Sequence, residues 1–130
     1  MLKIENLVVN YGYISALRGI SLEVQQGEIV TLIGGNGAGK TTTLMSISGL
    51  TEKSGGSITF KGQDITRMPP HKIVRMGISH VPEGRLIFPA LSVRENLIAG
   101  ASGNPKLKKT DIARLQEQAY ELFTRLRERI

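Results

Sequence analysis

The N-terminal part of the chain has the hydrophobic pattern of a sheet. Apolar residues interspersed with polar ones predict strands over residues 2–10 and 21–24, with a loop carrying Tyr11-Gly12-Tyr13 between them. The apolar run at residues 28–33 predicts a buried strand of a central sheet. Residues 78–81 are a second candidate for that sheet. A sheet-containing core is therefore the first expectation.

Turn signals divide the middle of the chain into short elements. Ser54-Gly55-Gly56 predicts a break after the first helix, and residues 57–61 predict a short antiparallel strand that ends at a turn, Gly62-Gln63-Asp64. Pro69-Pro70 predicts the start of a short helix that extends to about Met76, because proline is favoured in the first helical turn.

Helical signals dominate the C-terminal part. Ser92 and Glu95 have the spacing of a capping box, which predicts a helix that ends at Gly100. From Thr110 onward apolar residues recur at helical spacing, and their stripe must cover a helical partner or a subdomain core. These residues are Ile112, Leu115, Ala119, Leu122, Phe123, Leu126 and Ile130. Because no C-cap glycine or proline precedes Ile130, we expect either a natural helical end or a truncated chain.

A glycine-rich segment between the run at 28–33 and the first helix carries the clearest chemistry. Residues 34–41 read G-G-N-G-A-G-K-T and fit G-x-x-x-x-G-K-[ST], a loop whose backbone N–H groups cradle the phosphates of a nucleotide. Glycines allow positive φ and close approach to an anion, and the helix that follows adds its positive dipole end. Lys40 is expected to contact the β- and γ-phosphates and Thr41 to bind Mg²⁺. The alternative is a glycine-rich turn without a ligand.

Composition narrows the function classes. The net charge of +6 suits an anionic ligand or an acidic partner surface. Three Tyr, three Phe and no Trp leave no basic segment interleaved with aromatics, so we expect no nucleic-acid partner. The absence of cysteine excludes disulfides and thiol chemistry. Because there is no signal peptide and no apolar stretch long enough to cross a bilayer, we expect a cytoplasmic protein that could sit against a membrane protein.

Several segments together resemble the N-terminal part of the ATP-binding subunit of an ABC transporter. Residues 11–17 are similar to the aromatic loop of that family, residues 27–34 to the segment before its phosphate loop, and residues 55–64 to its next strand and turn. The resemblance implies an α/β fold with a P-loop NTPase core, an antiparallel β subdomain and the start of a helical subdomain, and we expect this fold to be incomplete in these residues. It also implies one domain, with the core and β subdomain over 1–91 and the helical subdomain beginning at 92–130.

The resemblance also implies the ligands, ATP and Mg²⁺, and the residues that hold them. Tyr11 is expected to stack on adenine, Lys40 and Glu83 to be catalytic, and Thr41 and Glu83 to bind the metal. The remaining cofactor-binding residues are Ala16, Gly34, Gly35, Asn36, Gly37, Ala38, Gly39 and Thr42.

Two of these roles have simpler alternatives. Tyr11 could be an ordinary loop aromatic, and Glu83 could be a solvated carboxylate. Glu83 stands where the family usually has glutamine; a carboxylate cannot donate a hydrogen bond, so it would bind Mg²⁺ as a charged ligand. For His71 and His80 we expect packing roles, because neither has metal-ligand spacing.

Residues 80–97 indicate a subfamily. They carry V-P-E-G-R followed by F-P-A-L-S-V-R-E-N-L, which resembles importers of branched-chain amino acids. Importers of urea or amides and exporters of lipopolysaccharide are near neighbours. The resemblance implies transmembrane permease subunits that dock near residues 83–96, a second ABC ATPase subunit in a homo- or heterodimer, and a peripheral position on the inner face of the cell membrane.

Some of the family's machinery does not occur in the sequence. There is no L-S-G-G-Q-like signature and no hydrophobic run that ends in Asp-Glu. We therefore expect the complete protein to be an ATPase that drives transport, and these 130 residues alone to bind ATP weakly and hydrolyse it negligibly. Two alternatives stay open: an ABC-type ATPase with no transport role, and a truncated module that binds nucleotide without turnover.

Overall fold

An antiparallel hairpin begins the chain in the computed structural model, which describes all 130 residues. Strand β1 is Leu2–Tyr11 and strand β2 is Ile14–Val24, so both predicted strands form. The second begins seven residues earlier than predicted (14 instead of 21) because it pairs with β1 as far as Tyr11 opposite Ile14. Gly12 makes the turn with a φ of 59°. The hairpin is therefore one long ribbon.

Two further strands complete an antiparallel sheet. Strand β3 is Gly55–Phe60 and strand β4 is Gln63–Asp64, and the order across the sheet is β2-β1-β3-β4. One face of the sheet is apolar and forms the core with residues from the segment after β4, as expected for a half-buried antiparallel sheet. The buried cluster is Ile4, Leu7, Val9, Leu17, Ile58, Phe60 and Ile65.

The pairing of β1 with β3 is interrupted at a bulge. The register skips from Glu5, which faces Ser57, to Val8, which faces Gly55. At the bulge Asn6 has a φ of 49°, and its N–H donates to Ser21 Oγ at 2.9 Å. The bulge brings the backbone of β1 close to Gly56, so the predicted break at residues 54–56 is wrong in part: the two glycines lie inside β3.

Two short helices accompany the sheet. Helix α1 is Lys40–Ile47 and helix α2 is Pro70–Arg75. Helix α2 confirms the helix predicted from the proline pair, and Ile73 is its buried residue. Sheet, α1 and α2 belong to the first of two compact units, Met1–His80 and Val81–Ile130. The subdomain boundary predicted at 91/92 stays a prediction.

The two predicted strands of a central sheet are not formed. Residues 28–33 and 78–81 have no strand pairing, and Ile29, Ile33 and Val81 are 94%, 93% and 90% exposed. A buried strand needs hydrogen-bonded neighbours along its edges. The sheet of these 130 residues ends at β2 and β4, and neither edge pairs with residues 28–33 or 78–81. Both segments have the apolar pattern, but the strands predicted at residues 28–33 and 78–81 are wrong for these 130 residues.

The second unit is helical. It contains α3 (Val93–Ala101), α4 (Lys109–Leu122) and α5 (Thr124–Glu128). The predicted capping box is confirmed: Ser92 Oγ accepts from the Glu95 N–H at 3.2 Å, and Glu95 Oε2 accepts from the Ser92 N–H at 2.7 Å. The hydrogen bonds from the backbone and hydroxyl of Ser92 hold the pKa of Glu95 below its ordinary value. This box fixes where α3 begins.

The last helical pattern is interrupted. Phe123 has φ −125° and ψ 79°, so α4 ends there and α5 is a separate helix instead of the single run expected from the sequence. A salt bridge of 2.8 Å between Arg127 and Glu117 links the two helices. Of the predicted apolar stripe, Leu122 and Phe123 are 78% and 62% exposed. None of the five helices combines the length and apolarity that crossing a membrane requires.

Candidate nucleotide-binding site

The phosphate loop, residues 34–41, has a backbone that only glycine accommodates easily. Gly37 and Gly39 have φ values of 81° and 95°, in the left-handed region. Gly39 is the N-cap of α1, and no side chain caps the helix or places an acid in its first turn. The first N–H groups of α1 therefore keep their hydrogen-bonding capacity and their positive dipole end for an anion.

Close packing within the loop excludes larger residues at two glycines. A Cβ on Gly34 would lie 2.9 Å from Ala38 Cβ. A Cβ on Gly39 would lie 2.6 Å from Leu17 Cδ2 and 3.0 Å from the carbonyl oxygen of Ala16. Residues of strand β2, Ala16 and Leu17, thus lie against the loop at Gly39, and the cofactor-binding role of Ala16 stays a prediction.

Lys40 folds back over the loop. Its Nζ donates to the carbonyl oxygens of Gly34 and Gly35, the second at 2.8 Å. The ammonium is thereby held over the same turn whose N–H groups can bind an anion. A compact cation and the N–H groups at the start of α1 thus belong to one short segment, and these are donors that suit phosphate oxygens.

Hydroxyl groups anchor α1 below the loop. Thr43 is buried, and its Oγ1 donates to the carbonyl oxygen of Gly39 at 2.8 Å. Ser48, the C-cap of the helix, forms a 2.8 Å hydrogen bond with Nδ1 of His80. A packing role was expected for His80, and in the structure His80 contacts the C-terminal end of α1 through this hydrogen bond. Thr43 and Leu17 were not among the predicted site residues. The patterns that could have indicated them are the run of threonines after Lys40 for Thr43 and the apolar residues of β2 for Leu17.

Of the other predicted residues of the first unit, Tyr11, Asn36 and Thr41 are open to solvent, whereas Thr42 is half-buried. Tyr11 lies at the tip of the β1–β2 hairpin and is 50% exposed, and its neighbour Tyr13 is fully exposed. Asn36 and Thr41 are exposed on the loop and at the start of α1. The structure therefore brings the loop, Ala16 and Lys40 together, and leaves Tyr11 available at the end of the same hairpin.

Glu83 lies in the second unit. It occupies an exposed irregular segment between residue 81 and α3, next to Gly84 with a φ of 90° and Arg85 with a φ of 52°. It forms none of the three salt bridges of the chain. Its expected roles as a catalytic residue and metal ligand stay predictions.

Comparison with known sequences gives consistent matches. The sequence profile described as ABC transporter matches residues 17–129. The high-affinity branched-chain amino acid transport ATP-binding protein BraG of Pseudomonas aeruginosa is 44% identical over 129 residues, which are 99% of this chain and 54% of that protein. The lipopolysaccharide export system ATP-binding protein LptB of Haemophilus influenzae is 41% identical over 99 residues, 76% of this chain and 41% of that protein. The chain thus spans about half the length of the curated relatives it matches.

Solved structures agree in fold. An ATP-binding subunit of an ABC transporter superposes with a TM-score of 0.86 at 30% identity, over 99% of this chain and 52% of that one. A nucleotide-free ATP-binding cassette superposes with a TM-score of 0.73 at 31% identity, over 86% of this chain and 44% of that one. The fold class predicted from the sequence is therefore confirmed.

Proposed function

The chain belongs to the ABC transporter family, and from this premise we propose that it is part of an ATP-binding subunit that couples ATP binding and hydrolysis to the import of branched-chain amino acids. The observation that carries the nucleotide part is the phosphate loop, where left-handed Gly39 opens α1 and Lys40 bends over the loop carbonyls. The import part is supported by the similarity to the branched-chain amino acid relative over 99% of the chain.

ATP would be bound from both ends by the first unit. The N–H groups of the loop and of the first turn of α1 would receive the phosphates, and Lys40 Nζ would exchange the Gly34 and Gly35 carbonyls for phosphate oxygens. Tyr11 would stack on adenine from the hairpin tip, where half of its surface is accessible. The loop backbone and Lys40 would orient the terminal phosphate without covalent chemistry.

Thr41 and Glu83 are the residues proposed to hold Mg²⁺. The exposed Thr41 hydroxyl follows Lys40 at the start of α1, and hydroxyl and carboxylate oxygens suit a hard cation. When bound with the nucleotide, Mg²⁺ would neutralise charge on the phosphate oxygens. Glu83 would add a negative ligand where the family usually has an amide, and therefore strengthen metal-dependent binding.

Hydrolysis is proposed for the complete protein. Phosphoryl transfer needs a group that positions water and compensating charge around the γ-phosphate. The signature motif and the Asp-Glu pair that supply these in the family do not occur in residues 1–130. A second ABC ATPase subunit would close over the nucleotide, and we expect these residues alone to bind ATP weakly without measurable turnover.

The proposed partner surface is the segment 83–96 of the second unit. Residues 81–90 are all exposed, and Leu86, Ile87 and Phe88 expose 73%, 69% and 61% of their surface. Three adjacent exposed apolar side chains are typical of an interaction site. We propose that transmembrane permease subunits dock here, which would hold the protein on the inner face of the cell membrane.

Export of lipopolysaccharide is the second candidate. The similarity to that system's ATP-binding protein is 41% identity over 76% of the chain. Import of amino acids is favoured because its relative matches almost the whole chain, including α4 and α5. Binding to detergent-solubilised permease subunits of a branched-chain amino acid importer, but not to those of a lipopolysaccharide exporter, would separate the two.

Replacing Tyr11 tests nucleotide recognition. We expect Tyr11→Ala to weaken ATP binding about five- to tenfold, or about 1–1.4 kcal/mol, which is the lower end of what base stacking on an aromatic ring contributes and suits a half-exposed ring. Binding of inorganic triphosphate, which has no base, should not change. Titrations followed by ³¹P NMR measure both ligands even at low affinity. Tyr13→Ala is the matched control, and an equal loss for triphosphate would contradict the adenine role of Tyr11.

Replacing Glu83 tests the metal role. If Glu83 binds Mg²⁺, the enhancement of ATP affinity by Mg²⁺ should be several-fold smaller in Glu83→Gln, since an amide is a weaker ligand for a hard cation. ATP binding without metal should improve or stay the same because a negative charge has been removed. Glu121→Gln, also exposed and in the second unit, is the control. Equal Mg²⁺ dependence in wild type and Glu83→Gln would refute the role.

A further inference from the structure

A single side chain, that of Asn96, contacts backbone groups at both ends of the turn that precedes α3, residues 88–92. Asn96 Oδ1 accepts from the Phe88 N–H at 3.0 Å. Its Nδ2 lies 3.1 Å from the Phe88 and Leu91 carbonyl oxygens and 3.0 Å from that of Ser92. The amide has two N–H bonds for these three acceptors, so at least one is shared. We call residues 88–92 the docking turn.

Apart from the capping box between Ser92 and Glu95 at its end, few other interactions hold the docking turn in shape. One backbone hydrogen bond closes it, from the Leu91 N–H to the Phe88 carbonyl oxygen at 3.1 Å. Pro89 has no N–H to contribute. The five residues of the turn are all exposed, so burial does not fix their conformation. The capping box ties Ser92 to α3, and Asn96 is the side chain that ties Phe88 and Leu91 to it.

Asn96 itself is well anchored. It lies in the first turn of α3, is half-buried, and its N–H donates to the Ser92 carbonyl oxygen at 3.0 Å. The capping box of Ser92 and Glu95 fixes the start of the helix from which the Asn96 side chain reaches back. A rigid helical turn thus holds a side chain that satisfies both polar groups of Phe88.

We propose that Asn96 is a positioning residue that keeps the docking turn in the conformation that presents Phe88 to a permease subunit. This inference depends on the docking function proposed above. Its physical basis is preorganisation: a turn that is ordered before binding loses less conformational entropy when the partner arrives. Asparagine is required because it combines one acceptor with two donors, and aspartate offers only acceptors to the three carbonyl oxygens.

The test compares Asn96→Ala and Asn96→Asp with Asn104→Ala in the protein at its full natural length. Asn104 is a matched control, since its Oδ1 also accepts a backbone N–H in the second unit, from Lys106 at 3.1 Å. We expect amide hydrogen exchange at Phe88 to accelerate about tenfold in both Asn96 variants, the ratio that corresponds to about 1.4 kcal/mol. Affinity for the permease subunits of a branched-chain amino acid importer, in nanodiscs, should fall by a similar factor.

The outcomes separate this inference from the docking proposal. ATP affinity should be unchanged in all three variants, because neither Asn96 nor Asn104 is among the residues proposed to hold ATP or Mg²⁺. If wild type and Asn96→Ala bind the permease equally while exchange at Phe88 accelerates, docking stands and the role of Asn96 is overturned. If wild type does not bind the permease, docking itself fails and the inference with it. Equal losses in Asn104→Ala would overturn the specific role of Asn96.

Discussion

Lys40→Met is expected to weaken ATP binding by about 10- to 100-fold, because a hydrogen bond to a charged group contributes about 1.5–3 kcal/mol. Methionine retains the aliphatic stem and removes the ammonium, so packing beside α1 is preserved. The variant loses the cation that bends over Gly34 and Gly35 and would meet the phosphates. Line broadening of the ATP phosphate signals in ³¹P NMR measures the loss.

Two comparisons make the Lys40 result specific. Lys72→Ala removes an exposed lysine from α2 of the same unit and changes the net charge by the same amount, so its ATP affinity should remain within twofold. Inorganic triphosphate should lose as much affinity as ATP in Lys40→Met, since the lysine is proposed to contact phosphate and not the base. Unchanged ATP binding in Lys40→Met would contradict the phosphate-loop assignment.

The phosphate loop could be predicted because its requirements are local. Left-handed backbone at Gly37 and Gly39, a helix that starts at Lys40 and a cation at that position all follow from residue identities within one short segment. The capping box of α3 was predictable for the same reason, because it joins Ser92 to Glu95 across one helical turn. Interactions of this range depend little on the rest of the fold.

The strands predicted at 28–33 and 78–81 failed because strand formation is not local. An apolar run indicates that a segment tends to be buried, but it does not identify the residues that cover it. Ile29 and Ile33 keep more than 90% of their surface exposed since no neighbour in residues 1–130 pairs with them. The helix break at Phe123 could not be predicted for a related reason. The apolar periodicity continues through Phe123 and contains no information on the φ and ψ angles of that residue.

The role proposed for Asn96 could not be predicted from the sequence either. A single asparagine near a helix start is common, and its importance comes from a turn geometry that places four backbone groups within 3.1 Å of one amide. The sequence resemblance predicts where a partner would dock, but it does not indicate which side chain would shape the docking turn. Polar networks of this kind depend on three-dimensional detail that periodicity does not encode.

The bulge between β1 and β3 leads to the largest stability effect that we expect. Gly56 has a φ of 83°, and a Cβ there would lie 2.3 Å from the carbonyl oxygen of Asn6 and 2.6 Å from that of Glu5. These contacts are with the backbone of β1, whose residues on either side of the bulge pair with β2 and β3, so relief would require a shift of the paired strand. Gly56→Ala should therefore lower the free energy of unfolding of the first unit by more than about 3 kcal/mol.

Gly62→Ala separates the steric part of this effect from backbone strain. Gly62 has a similar φ of 77°, but nothing lies within 4 Å of a Cβ built there. Alanine at this position should cost only about 1–2 kcal/mol, the penalty of a left-handed conformation for a residue with a Cβ. Urea unfolding followed by circular dichroism compares the two variants. Equal destabilisation would mean that β1 and β3 can separate at the bulge without loss, and that the close approach of Asn6 to Gly56 does not hold the sheet together.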